Sequence, residues 1–197
     1  MRSTLATTLI AAITTAASAG IATQTITIDF DDQMGGLPGV ETDGLFNPHA
    51  TFSTEPDHLL LIVSGSDFVG GSGPNSLTAM EEGSSDFDSD IYIDFTQAAN
   101  NVSLDILADN DRLTVAQLHV FHSMGSSFVD VMGNANFQDP IPMDLSNYTD
   151  ITRIELVNIT DEFGLGIDNL VFDIPVPAPS ALALLTLGAL TTQRRRR

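Results

Sequence analysis

Thr25-Ile26-Thr27-Ile28-Asp29-Phe30 alternates strictly between polar and apolar residues. Successive side chains of an extended strand point to opposite faces, so Ile26, Ile28 and Phe30 share one side and Thr25, Thr27 and Asp29 the other. The stretch predicts a half-buried strand. The same period returns along the chain. Ile91, Ile93 and Phe95 align in IYIDF, and Val102, Leu104 and Ile106 align in VSLDIL. LTVAQLHVFH (113–122) is longer and less regular, and FVDVM (128–132), ITRIELVNI (151–159) and LGIDNLVF (165–172) complete the set. LLLIVS, Leu59 to Ser64, is a continuous apolar run and predicts a strand buried on both faces.

Gly, Pro, Asn, Asp and Ser fill the intervals. MGGLPG (34–39), SGSDFVGGSGPNS (64–76), EEGSSDFDSD (81–90), ADND (108–111) and MGNANFQDP (132–140) read as turns or loops. DLSNYTDI (144–151) suits one short turn. No helical period is sustained and no internal repeat is visible. About eight to ten short strands at this spacing predict an all-β fold, an antiparallel β-sandwich of jelly-roll type.

The 197 residues include 26 acids and seven basic residues, all arginine, for a formal charge of −19. The charge falls to −24 when the five arginines of the two ends, Arg2 and Arg194 to Arg197, are set aside. Such a surface repels nucleic acid and anionic membranes and attracts cations. The absence of cysteine excludes a disulfide framework, a thiolate metal site and a cysteine nucleophile.

The two ends read as addresses rather than as fold. Arg2 precedes an apolar stretch from Leu5 to Ala17, and Ala17-Ser18-Ala19 supplies an A-x-A cleavage site. Residues 1–19 therefore read as a secretory signal peptide, with a cut as late as Ala22 as the second choice. The predicted β domain occupies 20–174. A proline-rich motif follows over 175–180, containing Val176, Pro177, Ala178, Pro179 and Ser180. An apolar helix over 181–193 and the cluster Arg194, Arg195, Arg196 and Arg197 close the chain, as in a membrane anchor with a cationic stop. Ser180 to Gln193 is 14 residues, short of the roughly 20 of a full span. Snorkelling arginine stems and local thinning of the bilayer recover some of the length.

This tail resembles the PEP-CTERM sorting signal of bacterial exported proteins, which runs V-P-E-P-S, apolar helix, arginine cluster. The match covers Val176, Pro177, Pro179, Ser180 and the arginines, and departs at Ala178, where the family has Glu. The resemblance implies processing by an exosortase-type membrane enzyme and a bacterium that makes extracellular polysaccharide. The middle of the chain resembles, more loosely, the jelly-roll domains of such proteins and of carbohydrate-binding modules. Phe30-Asp31-Asp32, GPNSL (73–77) and GIDNLVF (166–172) carry that likeness, in that order. It implies a structural calcium between the first and last strands, held by Asp31 or Asp32 with Asp168 and Asn169 and completed by carbonyl oxygens.

Asp86, Asp88 and Asp90 form a second, weaker calcium candidate. Their spacing matches the opening of an EF-hand loop, but Ile91 stands where the glycine belongs and Gln97 where the glutamate belongs. His119 and His122 in HVFH point to opposite strand faces, which argues against zinc. No G-x-S-x-G is present, and GGSGP lacks the lysine and helix of a phosphate loop. The chain has no Trp, two Tyr and eleven Phe, and most Phe fall at inward positions, which leaves few rings for stacking on sugars. The expected protein is therefore not an enzyme. It is an exported envelope or matrix protein, with a structural or adhesive sandwich associated with exopolysaccharide. Its rivals are a calcium-dependent carbohydrate-binding module and a secreted hydrolase.

Overall fold

The computed structural model describes residues 22–36, 39–64, 75–108, 113–133, 139–161 and 164–176. Eleven strands lie among them: β1 (Thr23–Ile28), β2 (Val40–Glu41), β3 (Ala50–Thr54), β4 (His58–Ser64), β5 (Asn75–Glu81), β6 (Ile91–Leu107), β7 (Thr114–His122), β8 (Gly125–Met132), β9 (Ile141–Asp144), β10 (Ile151–Val157) and β11 (Gly166–Pro175). No helix occurs among the described residues. Every strand pair is antiparallel.

IYIDF and VSLDIL, read above as two strands, form one strand of 17 residues. The reason lies at its middle. Ala99 pairs with Ile151 of β10, whereas Asn100 pairs with Asp173 of β11. Asn101 takes φ +50°, a left-handed conformation that asparagine tolerates better than most residues. Its Nδ2 donates to Asp173 Oδ2 at 2.8 Å, and Asn100 Oδ1 accepts from the Asp150 amide at 3.0 Å. The two asparagines thus let one strand leave one sheet and enter the other without losing backbone partners.

Sheet A is ordered β2-β4-β5-β11-β6-β9, with β1 pairing β11 as well. It uses the second half of β6. Sheet B is ordered β3-β6-β10-β7-β8 and uses the first half. One apolar cluster draws on both layers. It includes Ile26, Ile28, Leu60, Ile62, Leu77 and Phe172 from sheet A, and Phe52, Ile93, Leu118, Val120 and Ile154 from sheet B. Phe30 meets Phe46 and Phe52 edge-to-face at centroid distances of 5.2 and 5.6 Å. The alternation of TITIDF is thus realised, with Ile26, Ile28 and Phe30 all buried.

Three short strands and β5 fall outside the strands expected from the sequence. β9 contains Pro142, which lacks an amide donor, and it lies at the margin of sheet A, where proline is tolerated. β5 begins at Asn75 inside the glycine-rich stretch read as loop. Leu77 and Ala79 face the main core, while Met80 faces a second, smaller cluster with Leu61 and Val63. LLLIVS is buried on both sides, as its unbroken hydrophobicity predicts, with Leu60 and Ile62 inward and Leu61 and Val63 outward.

Candidate functional site

The outward side of sheet B carries three rows of side chains fixed by strand register. The first runs Thr51, Asp94, Arg153, Phe121, Ser126. The second runs Ser53, Tyr92, Glu155, His119, Phe128. The third contains Val157, Gln117 and Asp130. Glu55 and Asp90 follow β3 and precede β6 with the same parity as their outward neighbours. Five strands at the ordinary spacing make a face about 19 Å across.

These rows exist because their neighbours are claimed by the core. Leu118 and Val120 are fully buried, so His119 and Phe121 turn outward. Val131 is buried on β8, so Phe128 and Asp130 turn outward. Phe128 is 59% exposed. It stacks on His119 at a centroid distance of 4.2 Å and an interplanar angle of 12°, and Phe121 lies 4.1 Å from the same imidazole.

Arg153 ties the centre together. Its Nη1 donates to both oxygens of Asp94 at 3.0 Å, its Nε donates to Glu155 at 2.7 Å, and its guanidinium lies 4.8 Å from the Tyr92 ring centroid. Burial works against its charge, but the bonds to Glu155 and Asp94 outweigh that, and its pKa is raised. Glu155 also pairs with His119 Nδ1 at 3.1 Å. Asp90 accepts from the Tyr92 hydroxyl at 3.5 Å. Burial, and then the negative charge of Glu55, raise the Asp90 carboxyl above the ordinary Asp value. The Tyr92 phenol is raised by burial first and by Asp90 second. Gln117 donates to Asp130 at 2.7 Å and accepts from Asn158 at 2.9 Å.

A shallow pocket of about 310 Å³ opens beside this face, lined by Leu45, Phe46, Asn47, Pro48 and Thr51. Thr51 belongs to both pocket and first row. Gly44 makes the turn with φ +73°, and a Cβ there would fall 2.0 Å from the Phe52 carbonyl oxygen. Thr96 Oγ1 donates to the carbonyls of Pro48 and His49, which holds this loop against β6.

The residues singled out for calcium take separate places. β1 and β11 run side by side to the pair Ile28–Leu170, so the opening and closing strands are neighbours, as the calcium expectation requires. Asp32 is exposed. Asp31 Oδ1 accepts from the Asn75 amide at 3.4 Å. Asp168 is fully buried and accepts from the Asn169 amide at 2.8 Å, while Asn169 Nδ2 donates to Asp105 at 2.8 Å. Among the described residues, no group of three or more acids, histidines or cysteines is placed to hold a metal. A cation there would therefore draw on neutral oxygens. The carbonyls of Phe30, Asp31 and Gln33 do converge, all accepting from Asn75 Nδ2 at 3.2, 3.2 and 2.9 Å. They are hard oxygen donors of the kind calcium selects, and here an amide gathers them. Asp86 and Asp88 are exposed, and Asp90 belongs to the sheet B side.

The nearest approach to a nucleophilic triad among the described residues is Ser89, His58 and Glu55. Ser89 Oγ and Glu55 Oε2 both address His58 Nδ1, at 2.6 and 3.4 Å. A triad needs the acid on one ring nitrogen and the hydroxyl on the other, so this set does not relay a proton. His119 and His122 do lie on opposite faces: His119 meets Glu155, while His122 Nε2 bonds Ser127 at 3.1 Å. Of the sorting residues, only Val176 is among the described residues. Pro177, Ala178, Pro179, Ser180 and Arg194 to Arg197 lie outside them, as does the signal peptide over 1–19.

No protein family and no curated protein matches the chain. Solved structures do. The chain is similar to the CBM22-1–GH10 modules of an endo-1,4-beta-D-xylanase from Clostridium thermocellum complexed with xylohexaose, with 12% identity and a TM-score of 0.42, over 77% of this chain and 28% of that one. It is similar to a family 29 carbohydrate-binding module, with 12% identity and a TM-score of 0.39, over 76% of this chain and 93% of that one. It is also similar to a family 11 carbohydrate-binding module of a cellulosomal cellulase from Clostridium thermocellum, with 12% identity and a TM-score of 0.35, over 70% and 95%. Likeness at this level assigns neither a family nor a function.

Proposed function

We propose that the outward face of sheet B binds carbohydrate and that the protein acts by binding rather than by turnover. One observation carries this reading: aromatic rings and hydrogen-bonding carboxylates stand together on four adjacent strands, β6, β10, β7 and β8, of an open face. Sugars offer apolar ring faces and a rim of hydroxyls. Exposed Phe128 supplies an apolar surface, and Asp94, Glu155, Gln117 and Asp130 supply acceptors and donors held in place by mutual bonds. The aromatic supply is larger than the sequence suggested, because Phe121 and Phe128 face outward rather than into the core. Titration of the full chain with a panel of neutral, basic and acidic oligosaccharides tests the reading. Phe128→Ala is expected to weaken binding of the ligand found by tenfold or more. A panel without a binder, or a binder indifferent to Phe128→Ala, overturns it.

The setting we propose is export and C-terminal sorting. Val176 to Ser180, the apolar stretch and the terminal arginines support it as a sequence pattern. On this reading an exosortase-type enzyme processes the tail, after a transient stay in the membrane. The β domain then serves in the envelope or extracellular matrix, attached to exopolysaccharide. Mass spectrometry of the protein recovered outside its native cell tests this. The expected product has lost both ends, and an intact tail contradicts it.

Calcium is proposed as a structural partner of the Asp31–Asp32 turn and Asp168–Asn169, with the carbonyls of Phe30, Asp31 and Gln33 as neutral donors. It would join the opening turn to the closing strand. Melting the full chain with millimolar calcium and with chelator is expected to give a higher melting temperature with calcium, lost in Asp168→Ala. Identical curves would exclude the site.

A further inference from the structure

We infer that the glycan taken by this face carries free amino groups, as in a hexosamine polymer that is at least partly deacetylated. The inference rests on the carbohydrate-binding reading and adds the charge of the ligand.

The face is one-sided in charge. Glu55, Asp90, Asp94, Asp130 and Glu155 all project from it or from its margin, and Arg153 is the sole arginine among the described residues. The chain contains no lysine. Arg153 is already paired, with both oxygens of Asp94 on Nη1, Glu155 on Nε and Tyr92 under its plane. Among the described residues, a uronic-acid polymer would therefore meet carboxylates and a single guanidinium already paired with two of them.

A neutral glycan would give the same carboxylates hydroxyl hydrogen bonds but no opposite charge. Covering a charge without a partner is costly, and the cost rises as water leaves. The strain is already visible without ligand. Asp90 carries a raised pKa because it is partly buried beside Glu55, with Glu155 adding to the repulsion. Glu55 pairs with His58 Nδ1 at 3.4 Å, a nitrogen that Ser89 Oγ also addresses at 2.6 Å.

An ammonium group answers each of these features. It donates three hydrogen bonds, can bridge two carboxylates while cancelling one of their two charges, and is attracted to the faces of rings such as Tyr92 and Phe128. A chain of amino sugars would repeat that group along a face about 19 Å wide. Asp90 and Glu55 form the end of the face where an ammonium gains most, because the two carboxylates repel one another while Arg153 pairs with Asp94 and Glu155 instead.

The test titrates the full chain with a glucosamine hexamer, the N-acetylglucosamine hexamer, a cellohexaose, an oligogalacturonate and a hexalysine, at low and high salt. The glucosamine hexamer is expected to bind at least tenfold more tightly than the acetylated and neutral sugars, with the margin shrinking in salt. The double variant Glu55→Gln, Asp90→Asn should lose most of that margin, and Phe128→Ala should weaken the glucosamine hexamer but not hexalysine. Equal or tighter binding of a neutral or acidic sugar, dependent on Phe128, overturns the inference and leaves the carbohydrate reading standing. Hexalysine binding as tight as the glucosamine hexamer, unaffected by either variant, overturns it as mere attraction to an acidic chain. If no sugar binds, the inference and the carbohydrate reading fall together.

Discussion

The outward sides of the two sheets are built from the same kind of strand and end in opposite states. On sheet A, the outward side of β4 and β5 is closed. Leu61, Val63 and Met80 are buried there, with Leu59 and Phe87 packed against them. Gly39 lies against them: a Cβ there would come 3.1 Å from that of Leu61 and 3.3 Å from Val63 Cγ2. On sheet B, the outward side is open and holds rings, carboxylates and one arginine. A face that carries no charge, apolar but for Ser76 and Thr78, is covered by its own chain. A face that mixes rings with charges is left to a partner, because charges under a permanent cover would cost more than they return.

The contrast can be broken most forcefully from the closed side. Val63→Asp puts a charge among apolar neighbours and is expected to unfold the domain, seen as loss of the cooperative urea transition. Leu61→Ala, a milder change, should cost about 2–5 kcal/mol by urea denaturation. Phe128→Ala on the open side should cost less than about 1 kcal/mol in the same assay, since an exposed ring contributes little to folding. Gly39 takes φ +146° as well as lying close to Leu61, so Gly39→Ala is expected to cost about 1–3 kcal/mol.

Smaller effects sharpen the open side. Arg153→Met leaves Asp94 and Glu155 without their shared partner. Both are partly exposed, so the loss should be about 1 kcal/mol and should shrink in salt. The smallest effect concerns Asp90. Its carboxyl ionises at higher pH in the folded chain than the ordinary 3.8, so ionisation opposes folding. That opposition is absent below 3.8, grows as pH rises through the window above it, and is complete near neutrality. Asp90→Asn should raise the melting temperature slightly at pH 7 and leave it unchanged at about pH 3.

Much of the architecture was legible in local pattern. TITIDF gave its buried residues by parity alone, and LLLIVS announced burial on both faces. β6 was not legible as one strand. Thr96-Gln97 and Asn100-Asn101 are polar with only two alanines between them, and such an interval inside a strand looks like a turn unless the partners on both sides are known. β5 was masked by the glycine-rich stretch before it.

The open face was half legible. Parity in LHVFH and FVDVM places His119, Phe121, Phe128 and Asp130 outward; most described Phe do face inward, and Phe121 and Phe128 are the exceptions. That Tyr92, Glu155, His119 and Phe128 stand in one row follows only from long-range register, which no local period encodes. Asn75, which gathers three carbonyls of the opening turn, gave no signal beyond its place in GPNSL.

The central claim is that the open face of sheet B is the binding surface. Backbone amide NMR of the isotope-labelled chain, titrated with the glucosamine hexamer, tests it most directly. The account predicts shifts concentrated at Tyr92, Asp94, His119, Phe121, Phe128, Arg153 and Glu155, with Leu61 to Val63 unmoved. Shifts centred on β4 and β5, or saturating sugar without shifts on sheet B, would contradict it.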